Sequence, residues 1–136
     1  VMRFKTIQGT LKRLSKPHKY MIDWQKKSRS NLQFEVKQLL KKHWEPHVVF
    51  EEFPVAGTKM TLDFYNANKK IAIEVQGKQH TEYNPHFHNN SKANFLSQKR
   101  RDYLKKIFCE NNSIKLIEIH EGEDIGESLI ESVLYK

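Results

Sequence analysis

The sequence predicts a mixed α/β domain, a β-sheet packed against helices, with elements in the order α-β-β-β-α-β-α. Three observations carry that prediction. Apolar residues recur at helical spacing in three separate stretches. A central stretch is rich in Val, Ile and Phe and alternates in polarity. Asn, Gly and Pro pairs punctuate the joins between these stretches. At 136 residues the chain can build one packed core but not two.

Residues 1–27 have weak periodicity interrupted by Pro17 and read as an arm or a short helix ahead of a domain spanning 28–136. Ser30-Asn31-Leu32-Gln33 has the capping-box pattern, the serine accepting from the first turn and the glutamine reaching back. Leu32, Val36, Leu39 and Leu40 then carry a helix to about Lys42, with Glu35 on the border of its apolar face. Residues 48–53 read as a strand ending before Pro54, and 55–58 as a turn. Residues 61–67 and 70–76 are two more strands, joined by Asn68-Lys69 in a tight hairpin, since Asn tolerates positive φ. Gly77 closes the second of them. Residues 78–94 are polar, contain Asn84-Pro85 and Asn89-Asn90, and read as a long loop of the kind that often carries function. From Ser91 a helix carries Leu96, Tyr103, Leu104, Ile107 and Phe108 and stops near Asn111-Asn112. Residues 114–119 form a buried apolar strand, and acidic residues 121–124 lead into a last helix with Ile125, Leu129, Ile130 and Val133.

The net charge of +8 is unevenly placed: Arg3, Lys5, Lys12, Arg13, Lys16, Lys19, Lys26 and Lys27 face Asp23 alone within residues 1–27, leaving about +1 for the rest. A basic arm on a near-neutral body is the footprint of a phosphate-binding protein, which points to nucleic acid. The plain alternative is a solvated tail, or a surface for acidic proteins or lipids. No apolar run approaches the roughly 18–20 residues of a membrane span. The start lacks a secretory pattern, and Val1 ahead of Met2 reads as a remnant or the cut edge of a longer chain. A lone cysteine, Cys109, allows no internal disulfide and fits a cytoplasmic setting. There is no Gly-rich phosphate cradle and no Ser/His/Asp pattern, so nucleotide hydrolysis and acyl transfer are poorly supported.

The hairpin register brings acids together. With Asn68 and Lys69 as the loop, Ala67 faces Lys70 and Asp63 faces Glu74. Directly opposed side chains sit about 4.5–5.5 Å apart at Cβ, and like charges there are destabilising unless a cation lies between them. Alternation sends Leu62, Phe64, Ile71, Ile73 and Val75 to an apolar face, and Asp63, Glu74 and Gln76 to the other. Two carboxylates and an amide oxygen make a hard-oxygen site suited to Mg2+ or Mn2+. The plain alternative is a solvent-exposed polar face with screened repulsion.

These residues carry a resemblance. Leu62-Asp63-Phe64-Tyr65 followed by Ile73-Glu74-Val75-Gln76-Gly77-Lys78-Gln79-His80 resembles the catalytic hairpin of PD-(D/E)XK nucleases, and within them the very-short-patch-repair endonuclease-like branch, seen in phage-encoded nucleases and some homing endonucleases. Arg101-Asp102-Tyr103-Leu104-Lys105, then Cys109 and Ile114-Lys115-Leu116-Ile117, are similar to the same branch, over roughly residues 28–120. The resemblance implies a restriction-endonuclease-like core and Mg2+-dependent hydrolysis of DNA phosphodiesters. It implies Asp63 as principal metal ligand, Glu74 as the second acid, and Glu35 as a helix acid completing the metal shell. His80 would polarise the attacking water or protonate the leaving oxygen, with Asp102 orienting it. The sequence departs from the motif at Gln76, which stands where a lysine is expected, and Lys78 is the nearest substitute in sequence. That departure leaves an inactive DNA-binding member of the same fold as the alternative. A junction resolvase must pair two active sites, so that sub-type would be a homodimer.

Lys92, Lys99, Arg100, Lys105 and Lys106 give the second long helix a basic side, read as phosphate contacts beside the site or as an ordinary wet face. His86 and His88 read as polar loop residues, since no cysteines accompany them to make a zinc site. Tyr83, Phe87 and Phe95 read as pins holding the loop to the body, or as wedges for distorted bases. Cys109 reads as a buried, inert thiol.

Overall fold

A computed structural model describes residues 1–77 and 92–135. Its centre is a four-stranded mixed sheet in the order β3-β4-β5-β6, built from β3 (Val49–Pro54), β4 (Thr61–Asn66), β5 (Ile71–Gln76) and β6 (Lys115–His120). β3, β4 and β5 are antiparallel neighbours, while β6 pairs parallel to β5 after the crossover through α2 (Lys92–Asn111). Helices α1 (Asn31–Trp44) and α3 (Glu127–Leu134) complete the body. The predicted order is therefore present, preceded by a small antiparallel pair, β1 (Met2–Lys5) and β2 (Leu11–Leu14), that the sequence reading did not anticipate.

Residues 1–27 are thus not a loose arm. Phe4 is buried and meets Phe53 edge-on at 5.5 Å and Phe108 at 5.8 Å. Met21 bridges to Phe50, and the Ile22 N–H donates to the Val49 carbonyl at 3.0 Å, so the segment extends the sheet edge beyond β3. Pro17 opens a short 3-10 turn, Pro17–Tyr20, rather than breaking a helix. The cations of this segment are exposed, and of its apolar residues Phe4 is buried while Val1, Leu11 and Met21 are exposed.

Both faces of the sheet are covered. On one, Val36, Leu40 and Trp44 of α1 and Ile130 of α3 pack on Val49, Phe64, Ile71, Ile73, Ile117 and Ile119. On the other, the β1–β2 hairpin and α2 bring Phe4, Phe108 and Cys109 against Phe50, Phe53, Leu62, Tyr65 and Ala72. The prediction of one apolar and one polar face needs correction: Leu62 packs with Tyr65, and Phe64 packs on the opposite face with Ile71 and Ile73. Strict alternation forbids residues three apart from sharing a face. The same phase slip occurs on β3, where Phe50 and Phe53 share a cluster. Between them lies Glu52 with φ +53°, a left-handed conformation costly for a residue with a Cβ. The pairing of β3 with β4 runs through Glu51↔Phe64 and Phe53↔Leu62 but not through Glu52 and Asp63. The sheet is locally re-aimed at those two acids.

The β4–β5 register is the predicted one, with Phe64↔Ile73, Tyr65↔Ala72 and Asn66↔Ile71. The turn itself differs. It is the four residues 67–70, with positive φ at Lys70 (+56°) rather than at Asn68. Asn66 Oδ1 accepts the Lys69 N–H at 3.0 Å, and Asn68 Oδ1 accepts the Val48 N–H at 2.7 Å. Ser30 caps α1 as predicted, accepting the Gln33 N–H at 3.1 Å. The Gln33 side chain does not reach back; its Nε2 donates to Glu51 and Glu52 instead.

Candidate active site

The last paired residues of the β4–β5 ladder are Phe64 and Ile73. Beyond them, side chains replace backbone carbonyls as acceptors. Glu74 Oε2 accepts the Asp63 N–H at 2.7 Å, and Asp63 Oδ2 accepts the Val75 N–H at 2.8 Å. Each acid therefore satisfies an amide of the facing strand, as buried N–H groups require. The remaining oxygens meet cations from two other elements. Lys105 Nζ of α2 lies 2.5 Å from Glu74 Oε1, and Arg29 Nη2, just ahead of α1, lies 3.4 Å from Asp63 Oδ1. Arg29 also reaches Glu52 Oε1 at 3.6 Å.

Asp63, Glu74 and Gln76 are each only 5% exposed, so the alternative of a screened polar face in solvent does not hold. Burial first, and the neighbouring Glu74 charge second, push the Asp63 carboxyl up to about 8. The Val75 N–H and Lys105 oppose that rise without cancelling it. The pocket thus disfavours a second negative charge.

A buried polar chain supports this centre from α1. Lys37 is fully buried, and its Nζ donates to Glu51 Oε1 and to the Lys26 carbonyl, both at 2.7 Å. Glu51 Oε2 also accepts from Ser28 Oγ at 2.6 Å and from Gln33 Nε2 at 3.0 Å. Glu52 is held by Gln33 at 3.2 Å and by the Thr61 hydroxyl at 2.8 Å. These contacts fix the left-handed Glu52 and, through it, the break in the sheet that frees Asp63 from the β3 ladder.

The other expected site residues divide. Glu35 is exposed on α1, roughly 200° around the helix from Gln33 at about 100° per residue, so it is turned away from Asp63 and the structure does not bring it to the acids. Gln33 and Lys37 occupy the sheet-facing positions instead. Lys78 and His80 lie outside the described residues, as do Tyr83, His86, Phe87 and His88. Asp102 is half-buried on α2, one turn before Lys105. Gln76 ends β5, its register partner being His120 on β6, and its carbonyl accepts the Glu121 N–H at 2.8 Å.

In the sequence Lys105 reads as a phosphate contact beside the site or part of a wet helix face, and the structure instead pairs it with Glu74; Arg29 and Glu52 carry no sequence signal of their own. Lys105 was legible in principle: it lies one turn before Cys109, on the buried side of α2. Glu52 had no sequence signal, since its role follows from backbone conformation. Lys106 is also not free on a basic stripe, because its Nζ meets Glu118 at 3.4 Å. Lys92, Lys99 and Arg100 are exposed, with Lys99 Nζ 5.7 Å from the centre of the Phe95 ring.

Among the described residues, no group of three or more His, Cys, Asp or Glu side chains could by itself hold a metal ion. Asp63 and Glu74 supply two hard-oxygen donors to one pocket, where burial first and the Glu74 charge second raise the Asp63 carboxyl. That chemistry fits a divalent cation.

No protein-family model matches the chain, and no solved structure does. Similar sequences occur in viruses. The chain is 40% identical over 60 residues to uncharacterized protein 307L of Invertebrate iridescent virus 6, covering 44% of this chain and 30% of that protein. It is 41% identical over 66 residues to uncharacterized protein 094L of Frog virus 3, covering 48% of this chain and 43% of that protein. Uncharacterized protein 033L of Invertebrate iridescent virus 3 is 36% identical over 66 residues, 34% of its length. The chain thus matches between 30% and 43% of each relative's length. No described helix is long and apolar enough to cross a membrane.

Proposed function

We propose that this chain is a metal-dependent endonuclease that hydrolyses DNA phosphodiester bonds, with a restriction-endonuclease-like core. The observation that carries the reading is the buried pair Asp63 and Glu74, fixed on adjacent strands with Asp63 pushed up to about 8. Paired carboxylates in a buried pocket are expensive for stability alone. They fit a centre whose substrate brings phosphate and whose cofactor brings positive charge.

Asp63 and Glu74 would hold a Mg2+ or Mn2+ ion through carboxylate oxygens. Such an ion, when bound, supplies an activated water and a counter-charge for the phosphate. The chain's own residues supply the rest. The Asp63 and Val75 amides keep both carboxylates oriented. Lys105, the cation closest to Glu74, takes the electrostatic place left open by Gln76 and steadies charge gathering on the phosphate oxygens. Lys78, His80 and Asp102 remain candidates for proton handling, carried by the resemblance alone. The viral relatives fit a protein that acts inside a host cell.

The second reading is a DNA-binding module of the same fold without catalysis. Gln76 favours it, because an amide cannot replace a motif lysine. A plasmid-nicking assay with Mg2+ or Mn2+ separates the two, run on the native protein and Asp63→Ala and extended to a four-way junction and structured RNA. Cleavage by the native protein that Asp63→Ala abolishes is the expected result. Cleavage surviving that change removes the site assignment, and DNA binding with no cleavage of any form supports the module.

A further inference from the structure

Beside the acids runs a groove of about 460 Å3 whose lining includes Lys19, Lys26, Lys27 and Arg29 and reaches Glu52. All four cations are exposed. The acids along it are already engaged. Glu51 is paired with the buried Lys37, and Asp23 Oδ1 accepts the Gln25 and Lys26 N–H groups at 3.0 and 3.3 Å. Glu52 is held by Arg29, Gln33 and Thr61. Among the described residues, no ion pair engages the Lys19, Lys26 or Lys27 ammonium groups.

The wall carrying these cations is pinned. Lys37 Nζ holds the Lys26 carbonyl at 2.7 Å, Gln38 Nε2 holds the Trp24 carbonyl at 3.1 Å, and Ser28 Oγ is tied to Glu51 at 2.6 Å. A fully buried lysine spent on a loop carbonyl fixes that loop's course before any ligand arrives. Like charges held in a preformed concave track repel one another until a polyanion enters, and preorganisation lowers the cost of that entry.

The geometry points to this groove as the channel that holds the phosphate backbone of the nucleic-acid strand and leads it past Arg29 to Asp63. This rests on the nuclease reading above and adds the path of the substrate. A lipid surface would need a flat or convex basic face, whereas this track is concave. An acidic peptide would bring further carboxylates to the inner end, where Arg29 is already shared between Glu52 and Asp63. Arg3 of the hairpin serves this task less well. Arg3 borders a hollow with Ala67, Lys70 and Asn112, at the turn end of β4. Ala67 is four residues from Asp63, roughly 13 Å at about 3.3 Å per residue, beyond the Debye length of about 8–10 Å at physiological salt.

The test compares Lys19→Gln/Lys26→Gln/Lys27→Gln with the hairpin variant Arg3→Gln. Affinity for a labelled duplex and a labelled single strand is measured by fluorescence anisotropy in EDTA over a salt series, with melting curves confirming that both variants fold. The groove variant should bind at least about tenfold more weakly at low salt, with a log–log salt slope shallower by about 2–3. The hairpin variant should stay within about twofold of the native protein. Equal binding by the groove variant, or loss confined to the hairpin variant, overturns the channel, as does a native protein that binds acidic peptide or anionic vesicles but no nucleic acid. The two readings fail separately. Cleavage with unchanged KM in the groove variant removes the channel and leaves the nuclease standing. Groove-dependent binding in a protein that never cleaves leaves the channel and removes the nuclease.

Discussion

Lys105 and Glu74 form an ion pair at 2.5 Å with side chains 15% and 6% exposed, joining the middle of α2 to the central strand β5. Removing the lysine leaves a buried carboxylate with one amide partner. Lys105→Met should destabilise the fold by about 3 kcal/mol, the usual cost of stranding one member of a buried pair. The double change Lys105→Met/Glu74→Leu should recover most of it in urea melts. If Lys105 also stands in for the motif lysine, Lys105→Arg should remain folded and keep nicking activity, while Lys105→Met falls about 100-fold or more even at temperatures where it is folded.

Asp63 carries a pH dependence with a definite sign. Its carboxyl sits near 8 in the folded chain, against 3.8 when unperturbed. Between those values the folded state holds a proton that the unfolded state has released, so folding stability falls as pH rises through that window. In EDTA, the melting temperature should drop by several degrees from pH 5 to pH 8, and Asp63→Asn should flatten the slope. Added Mg2+ should raise the melting temperature more at pH 8 than at pH 5, since binding needs the ionised acid. A native protein whose melting temperature rises over that range would contradict the buried-acid picture.

Lys37 is fully buried and bonded to Glu51 and to the Lys26 carbonyl. Lys37→Met keeps the stem but strands Glu51, and should cost about 3 kcal/mol. Because the same ammonium pins the loop at Lys26, limited proteolysis should show earlier cleavage within residues 23–29 than in the native chain. Unchanged cleavage there would show that Trp24 and Ser28 suffice to hold the segment.

Cys109 is 1% exposed, and burial, with the Glu74 charge next, pushes its thiol up to about 12. It should react with a thiol reagent only on unfolding, at neutral pH. Reaction within seconds in native buffer would place it outside the core.

Much of the fold was legible because patterning and pairing agree. Ser30 signalled the start of α1, and the apolar runs located all four central strands to within a residue or two. The β4–β5 register followed from counting, although the real turn uses Lys70 for its positive φ. The β1–β2 hairpin was hidden because only Phe4 is buried on it and the exposed Arg3 and Arg13 face each other across the strands. Asp63 and Glu74 were found by register, but their burial was not, because it depends on α1, α2 and the β1–β2 hairpin closing over both faces of the sheet. The slip at Glu52 was invisible, since no residue-type preference marks a glutamate at positive φ. Glu35, a site residue by resemblance alone, is exposed on α1, and its border position on the helical wheel does not say which border faces the sheet.

The amides of Asp63 and Val75 donate to ionisable side chains rather than to carbonyls. The chemical shift and solvent-exchange rate of an amide proton respond to the charge on its acceptor, so these two nuclei should report the ionisation of the acid pair directly. In a nitrogen-15 labelled sample, their peaks should move with pH and with added divalent ion, with no DNA present. The centre can therefore be titrated by spectroscopy before any substrate is identified.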